Sequence, residues 1–190
     1  MVLAQGLAED GYFQNYFRPG WLGRLARVLF FLDEIRLRKS CGLIMSRGGC
    51  VALVGFPPQP FLRVSDLRKW TRWIIHWQGE PFVSHWKDAE AAGSRGPGRE
   101  AVVYLSALAC GRKHRGRGEG SAMVRSVLVL GAERKLSVAC EVSSAKLAKW
   151  YSKLGFVEVS RMTLPNGCLV RRLEASQSGN QSGERGGRVR

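Results

Sequence analysis

Residues 113 to 121 read KHRGRGEGS, with Gly116, Gly118 and Gly120 set among Arg115, Arg117 and Glu119 and followed by Ser121. Alternate glycines let backbone approach a ligand closely, and successive N–H groups ahead of a helix form a concave anion site. The chemistry this suits is the holding of a pyrophosphate. A dinucleotide fingerprint would need a third glycine, but the position counted from Gly116 is Ser121 and from Gly118 is Met123, so that reading fails. A phosphate-binding P-loop fails too, because no Gly-Lys-Ser/Thr follows. Arginine-glycine tracts that bind nucleic acid are repeated within low-complexity sequence. Here the glycines occur once, between the apolar runs AVVYLSALAC (101–110) and SAMVRSVLVLGAER (121–134).

Two further side chains could carry chemistry. Glu141 lies inside the apolar run LSVACEV, where a carboxylate costs free energy unless it is paired, so it reads as a functional base or as half of an ion pair. Tyr151 lies in SSAKLAKWYSKLG; by itself it reads as a core tyrosine with a satisfied hydroxyl. His76, His85 and His114 belong to no motif, and His114 reads as a flank of the glycine loop. The five cysteines, Cys41, Cys50, Cys110, Cys140 and Cys168, have no CxxC spacing and read as small buried hydrophobes in a reducing compartment. No metal site is expected.

Elements must position these groups, and the chain has length for one domain: 190 residues, 45% apolar and 24% charged. Thirty Lys and Arg against 15 acidic residues give a net charge of +15, which favours anionic partners without choosing among them. The period of residues 21–39 predicts a helix with Leu22, Leu25, Val28, Leu29, Leu32, Ile35 and Leu37 inward and arginines outward. CGLIMS and CVALVGF around an RGG turn predict a hairpin, ended by PPQP. Residues 61–78 predict a helix whose Trp70, Trp73 and Trp77 stripe covers core or, alternatively, lines an aromatic acceptor pocket. A strand (101–110), the glycine loop, a helix, a strand (136–142), a helix closed by Gly155 and a hairpin around PNG complete the order. The fold class is α+β, a mixed sheet with one βαβ unit. Residues 1–174 form the domain and 175–190 read as a disordered basic tail. No apolar run is long enough to span a bilayer, and the N-terminus lacks a signal-peptide pattern, so a cytoplasmic protein without membrane partners is expected.

The strand LSALAC followed by GRKHRGRGEGSAMV resembles motif A of the GCN5-related N-acetyltransferase (GNAT) family, with Arg115, Gly118 and Gly120 filling its Q/R-x-x-G-x-G/A segment. CEVSSAKLAKWYSKLGF resembles the family's later strand, helix and Y-x-K-x-G-F ending. The resemblance spans about residues 10 to 174. More narrowly, Tyr104 to Arg172 is similar to the branch that contains puromycin N-acetyltransferase.

The resemblance implies a GNAT-like, mostly antiparallel sheet flanked by helices (α/β/α), its first edge strand missing. It implies transfer of an acetyl group from acetyl-CoA to a small-molecule amine by direct attack in a ternary complex, in a monomer or homodimer. The loop Arg115, Gly116, Arg117, Gly118, Glu119, Gly120 and Ser121 would hold the CoA pyrophosphate. Leu108, Ala109 and Cys110 would pair with the pantetheine arm, and their bulged end would supply an oxyanion donor. Tyr151 takes the role of proton donor and Glu141 that of base or amine ligand. The chain departs from the family at Glu119, where Ile or Leu is usual, and at Leu147, where the family has asparagine. The alternative function is a non-catalytic basic protein of this fold that binds nucleic acid or another acidic partner. Residues 175–190 supply only +2 of the charge, with Arg185, Arg188 and Arg190 against Glu184, which does not favour a nucleic-acid tail.

Overall fold

A computed structural model describes residues 2–7, 17, 19–57, 67–77, 101–163 and 167–176. Most of PPQP, the loop 88–100, His85, most of PNG and the tail beyond 176 lie outside them. In chain order the elements are α1 (Val2–Gly6), α2 (Trp21–Cys41), β1 (Gly42–Arg47), β2 (Cys50–Gly55), α3 (Lys69–Trp77), β3 (Val102–Cys110), a 3-10 turn at Arg112–His114, α4 (Glu119–Glu133), β4 (Ser137–Val142), α5 (Ala145–Ser152), β5 (Val157–Thr163) and β6 (Leu169–Ala175). The six strands form one sheet in the order β1-β2-β3-β4-β6-β5. Only β3 and β4 pair in parallel, around the βαβ unit through α4. Among the described residues no strand precedes α2. Ala175, placed at the start of the tail by sequence, is instead the last residue of β6 and pairs with Val138.

The β1–β2 hairpin turns on Gly48 and Gly49, both with positive φ, which is what a two-residue turn with right-handed strand twist requires. The two faces of the sheet carry separate cores. On one, α1 and α2 pack Leu3, Ala26, Phe30 and Phe31 over Leu53, Ala107, Ala109 and Val170. On the other, α4 and α5 pack Met123, Val124, Val127 and Tyr151 over Cys50, Ala52, Val54, Val103, Leu105, Cys140 and Leu173. Each fully buried Leu, Val, Phe or Met among them contributes about 1.5–3 kcal/mol.

Two helices turn differently from their sequence pattern. The inward face of α2 is Ala26, Phe30, Phe31, Asp33, Glu34 and Arg38, while Leu25 and Leu32 are exposed. Apolar residues surround this helix, so periodicity alone does not choose a face. Ala26, Phe30 and Phe31 pack on the sheet, and the charges that come inward with them are paired: Asp33 holds Arg36 and Arg68, and Glu34 bonds Arg38 at 2.6 Å. On α3 the inward residues are Thr71 and Ile74, and Trp70 and Trp73 are 74% and 54% exposed. These two tryptophans therefore lie outside the buried core, and the side chain of Trp77 lies outside the described residues.

Candidate functional site

Strand β3 runs to Cys110 and β4 to Val142, yet their parallel pairing ends at Leu105↔Cys140. Beyond that point the strands part. The β3 backbone from Ser106 to Cys110 has no β4 partner on this side, which leaves a slot into which an extended ligand arm could add as a strand. A bulge marks the same place: Leu53 pairs with Ala107 and Val54 with Leu105, so Ser106 is the extra residue, and its hydroxyl donates to Leu53 O at 3.1 Å. The bulge was expected at Leu108 to Cys110 and lies upstream of them. It resets the alternation of β3, turning Ala107 and Ala109 to the α1/α2 face and Leu108 and Cys110 to the α4 face.

The glycine loop stands at the end of this slot. Gly118 is the N-cap of α4 in the left-handed conformation, with φ 79° and no side-chain cap. The first backbone bond of the helix is Ala122 N–H to Gly118 O at 2.9 Å. The N–H groups of Glu119, Gly120 and Ser121 form the first turn, where the helix dipole is positive and an anion is favoured. Arg117, Arg112 and Lys113 are exposed around it. The Arg115 guanidinium folds back to donate to Cys110 O at 3.3 Å and Gly6 O at 3.5 Å, tying the loop to β3 and α1.

Glu119 also points away from the anion seat. Its carboxylate lies over Gly48, where any side chain would collide with it, 3.7 Å from His114 Nδ1 and 3.8 Å from Cys50 Sγ. The carboxylate is thus turned to the β1–β2 turn. Gly120 faces inward, with a β-carbon site 3.5 Å from Cys110 Sγ and 3.8 Å from Trp150.

Cys50 and Cys110 form a disulfide between β2 and β3. The reading of all five cysteines as reduced small hydrophobes holds for buried Cys140 and is overturned for this pair. The register puts them opposite each other, and the bulge turns Cys110 to the face of Cys50.

Tyr151 and Glu141 arrive from opposite sides. The Tyr151 ring is 5% exposed and packs edge-on to Trp150 and Phe156, in the core that also holds Cys140 and Val142. Glu141, between those two on β4, points to the other face. Its charge reaches Tyr104 there: burial, and after it the Glu141 carboxylate, pushes that phenol well above its ordinary pKa. The parting of β3 and β4 is where groups from both faces can meet one ligand. Leu147 is exposed on α5. Phe56 turns to the α4 side, beneath the Arg134 guanidinium at 4.3 Å.

Sequence reasoning missed Arg172. It is the Cα partner of Glu141 across β4 and β6 and is 4% exposed. The dipeptide Arg171-Arg172 reads as solvent-facing, and only strand alternation with buried Val170 distinguishes the inward member.

Among the described residues no cluster of His, Cys, Asp or Glu could hold a metal ion, and no helix is long and apolar enough to cross a membrane. Residues 55–175 match the family described as the acetyltransferase (GNAT) domain. No curated protein sequence matches the chain. Among solved structures it is similar to a Corynebacterium glutamicum protein described as histone acetyltransferase HPA2 and related acetyltransferase, with TM-score 0.65, 21% identity, and coverage of 92% of this chain and 87% of that one. It is also similar to Drosophila melanogaster polyamine N-acetyltransferase, which forms N-acetylagmatine (TM-score 0.56, 15% identity, 92% and 93% coverage). A third is the C-terminal condensation domain of Ebony in complex with β-alanyl-dopamine (0.57, 12%, 92% and 91%). At these identities the likeness is one of fold. With its parted strands, glycine loop and a family match over more than half its length, the chain belongs to the GNAT acetyltransferase family.

Proposed function

We propose that the protein moves an acetyl group from acetyl-CoA to the amine of a small molecule held with it in a ternary complex. The observation that carries this is the end of β3–β4 pairing at Leu105↔Cys140 beside a helix N-terminus capped by Gly118. A pantetheine arm would lie along Ser106 to Cys110, and a pyrophosphate would meet the first-turn N–H groups of α4. Backbone donors fixed in place need no reorganisation as charge develops on the thioester carbonyl.

In the reaction the protonated amine gives one proton to Glu141, directly or through water, and Glu141 passes it on to solvent. The neutral nitrogen attacks the thioester carbon, the N–C bond forms, the nitrogen loses its second proton to water and the C–S bond breaks. The leaving thiolate takes a proton from Tyr151, which regains one from solvent. The motifs through Tyr151, Gly155 and Phe156 support placing the protein beside the puromycin N-acetyltransferase branch, so puromycin belongs in the amine panel. A cytoplasmic location stays part of this reading, with the Cys50–Cys110 disulfide as the observation that counts against it.

Thermal shift with acetyl-CoA, followed by thiol release on an amine panel, tests the reading. Acetyl-CoA at 100 times its Kd adds about 2.7 kcal/mol to stability. No shift at millimolar acetyl-CoA overturns the proposal. Tyr151→Phe and Glu141→Gln should each lower kcat by about 10²–10⁴, and full turnover in either removes that residue from the mechanism.

A further inference from the structure

Arg172 is a buried cation with most of its hydrogen-bonding capacity unused. Its Nε donates to Glu174 Oε1 at 2.7 Å, while Nη1 and Nη2 are both shielded from water and have no partner. A guanidinium carries five N–H donors, and four of them lie on this unpartnered end. Leaving buried donors unmatched is costly, more so when the group is charged. Glu141 stands directly across from Arg172 in the strand register yet does not take these donors.

The position is as informative as the deficit. Glu141 is the first β4 residue past the last β3–β4 pair, Leu105↔Cys140. The Glu141–Arg172 pair therefore stands where the strands part, on the face opposite Tyr151. Around it on that face are Tyr104, Glu174 and the pair Glu34–Arg38. Arg38 gives Nε and Nη2 to Glu34 and keeps Nη1 unpartnered, whereas both Nη groups of Arg172 are unpartnered, so among the described residues Arg172 is the buried cation with a whole guanidinium end unused. Two Nη groups on one edge match the two oxygens of a carboxylate, and away from water such a charge-assisted fork is strong and selective.

We propose that Glu141 and Arg172 together select an acceptor whose amine lies next to a carboxylate, an α-amino acid, with the amine at Glu141 and the carboxylate on the Nη edge of Arg172. This deepens the acetyl-transfer reading and rests on it for the chemistry. Directly opposed residues on neighbouring strands have β-carbons about 4.5–5.5 Å apart, a separation suited to two groups on one carbon atom. An amine without the carboxylate would leave the guanidinium unmatched, and loss of such a partner is what lets a polar site reject an analogue.

Calorimetry on the full chain with N-acetylated amino acids and their carboxamides tests this, using an aromatic, an aliphatic, a basic and an acidic side chain. Acetylation removes differences in amine basicity, so each pair differs only at the carboxylate. At least one acid should bind tenfold or more tightly than its amide; R172Q should erase the difference and R172K narrow it, with melting curves confirming the fold. Equal affinity within every pair, binding of all acids weaker than millimolar, or a difference that survives R172Q overturns the assignment. If R172Q does not fold, the acid–amide comparison in the native protein decides alone. Because no turnover is needed, failure to bind acetyl-CoA or release thiol counts against the transfer reading and leaves this comparison intact.

Discussion

Cys50 and Cys110 are joined across β2 and β3 directly beneath Gly120. The bond closes a loop of 60 residues in sequence separation, which contains α3, and restricts the unfolded chain accordingly. Cys50→Ser should lower stability by about 2–4 kcal/mol in oxidising buffer. With a strong thiol reductant the native protein should fall toward the variant. Identical denaturant midpoints for the native protein with and without reductant would show that the pair does not act as a crosslink.

Gly118 and Gly120 should respond differently to a methyl group, although the sequence pattern treats them alike. Gly118 has φ 79°, a conformation that costs an L-residue about 1–2 kcal/mol. At Gly120 the new atom meets Cys110 Sγ and Trp150 at ordinary contact distance. Denaturant unfolding should show a loss of that size for Gly118→Ala and a change within about 0.5 kcal/mol for Gly120→Ala. A larger loss at Gly120 than at Gly118 would reverse the assignment.

Glu119 is the one acidic residue in the glycine loop, and its carboxylate is turned to the β1–β2 turn and His114. Glu119→Gln should leave acetyl-CoA affinity unchanged within about threefold, since a charge pointing away through solvent contributes little. Tightening of tenfold or more in a calorimetric titration would place the carboxylate's influence on the bound anion instead.

Stability should decline at alkaline pH through Cys140. Burial, with the Glu141 carboxylate adding to it, pushes this thiol far above its ordinary range. The unfolded chain releases the proton near pH 8.5, while the folded chain keeps it. Above that pH the unfolded state binds fewer protons, so stability is fully present below about pH 8.5 and falls by up to about 1.4 kcal/mol per pH unit above it. Cys140→Ala should flatten the fall measured between about pH 9 and 10; an unchanged slope would assign the loss to other groups.

What the sequence made legible was local. An apolar strand, a glycine loop and an apolar helix follow one another between residues 101 and 134, so β3, the glycine loop and α4 could be placed without tertiary information. Long-range pairing was not legible. Cys50 and Cys110 meet only through the β2–β3 register, and Arg172 faces inward only because β6 alternates from Val170. The bulge at Ser106, which decides the face that Cys110 takes, is marked in sequence only by that one serine in an otherwise apolar strand. On α2 the apolar residues at Leu25 and Leu32 drew the inward face to the wrong side, because Asp33, Glu34 and Arg38 read as solvent residues when their partners are unknown.

Those partners make a stringent test of α2. Glu34 and Arg38 have side chains 4% and 0% exposed, so each is shielded from water and depends on the other. Glu34→Gln keeps the shape but leaves the Arg38 cation without its counter-charge, and breaking one side of a buried pair costs about 3–5 kcal/mol. Replacing both by apolar residues of similar volume, Glu34→Leu with Arg38→Met, removes two desolvation costs together and should be near neutral or stabilising. Urea unfolding should therefore find the double variant more stable than the Glu34→Gln single. If the double variant is instead the less stable of the two, the pair contributes net stability and the inward face of α2 requires the charges themselves.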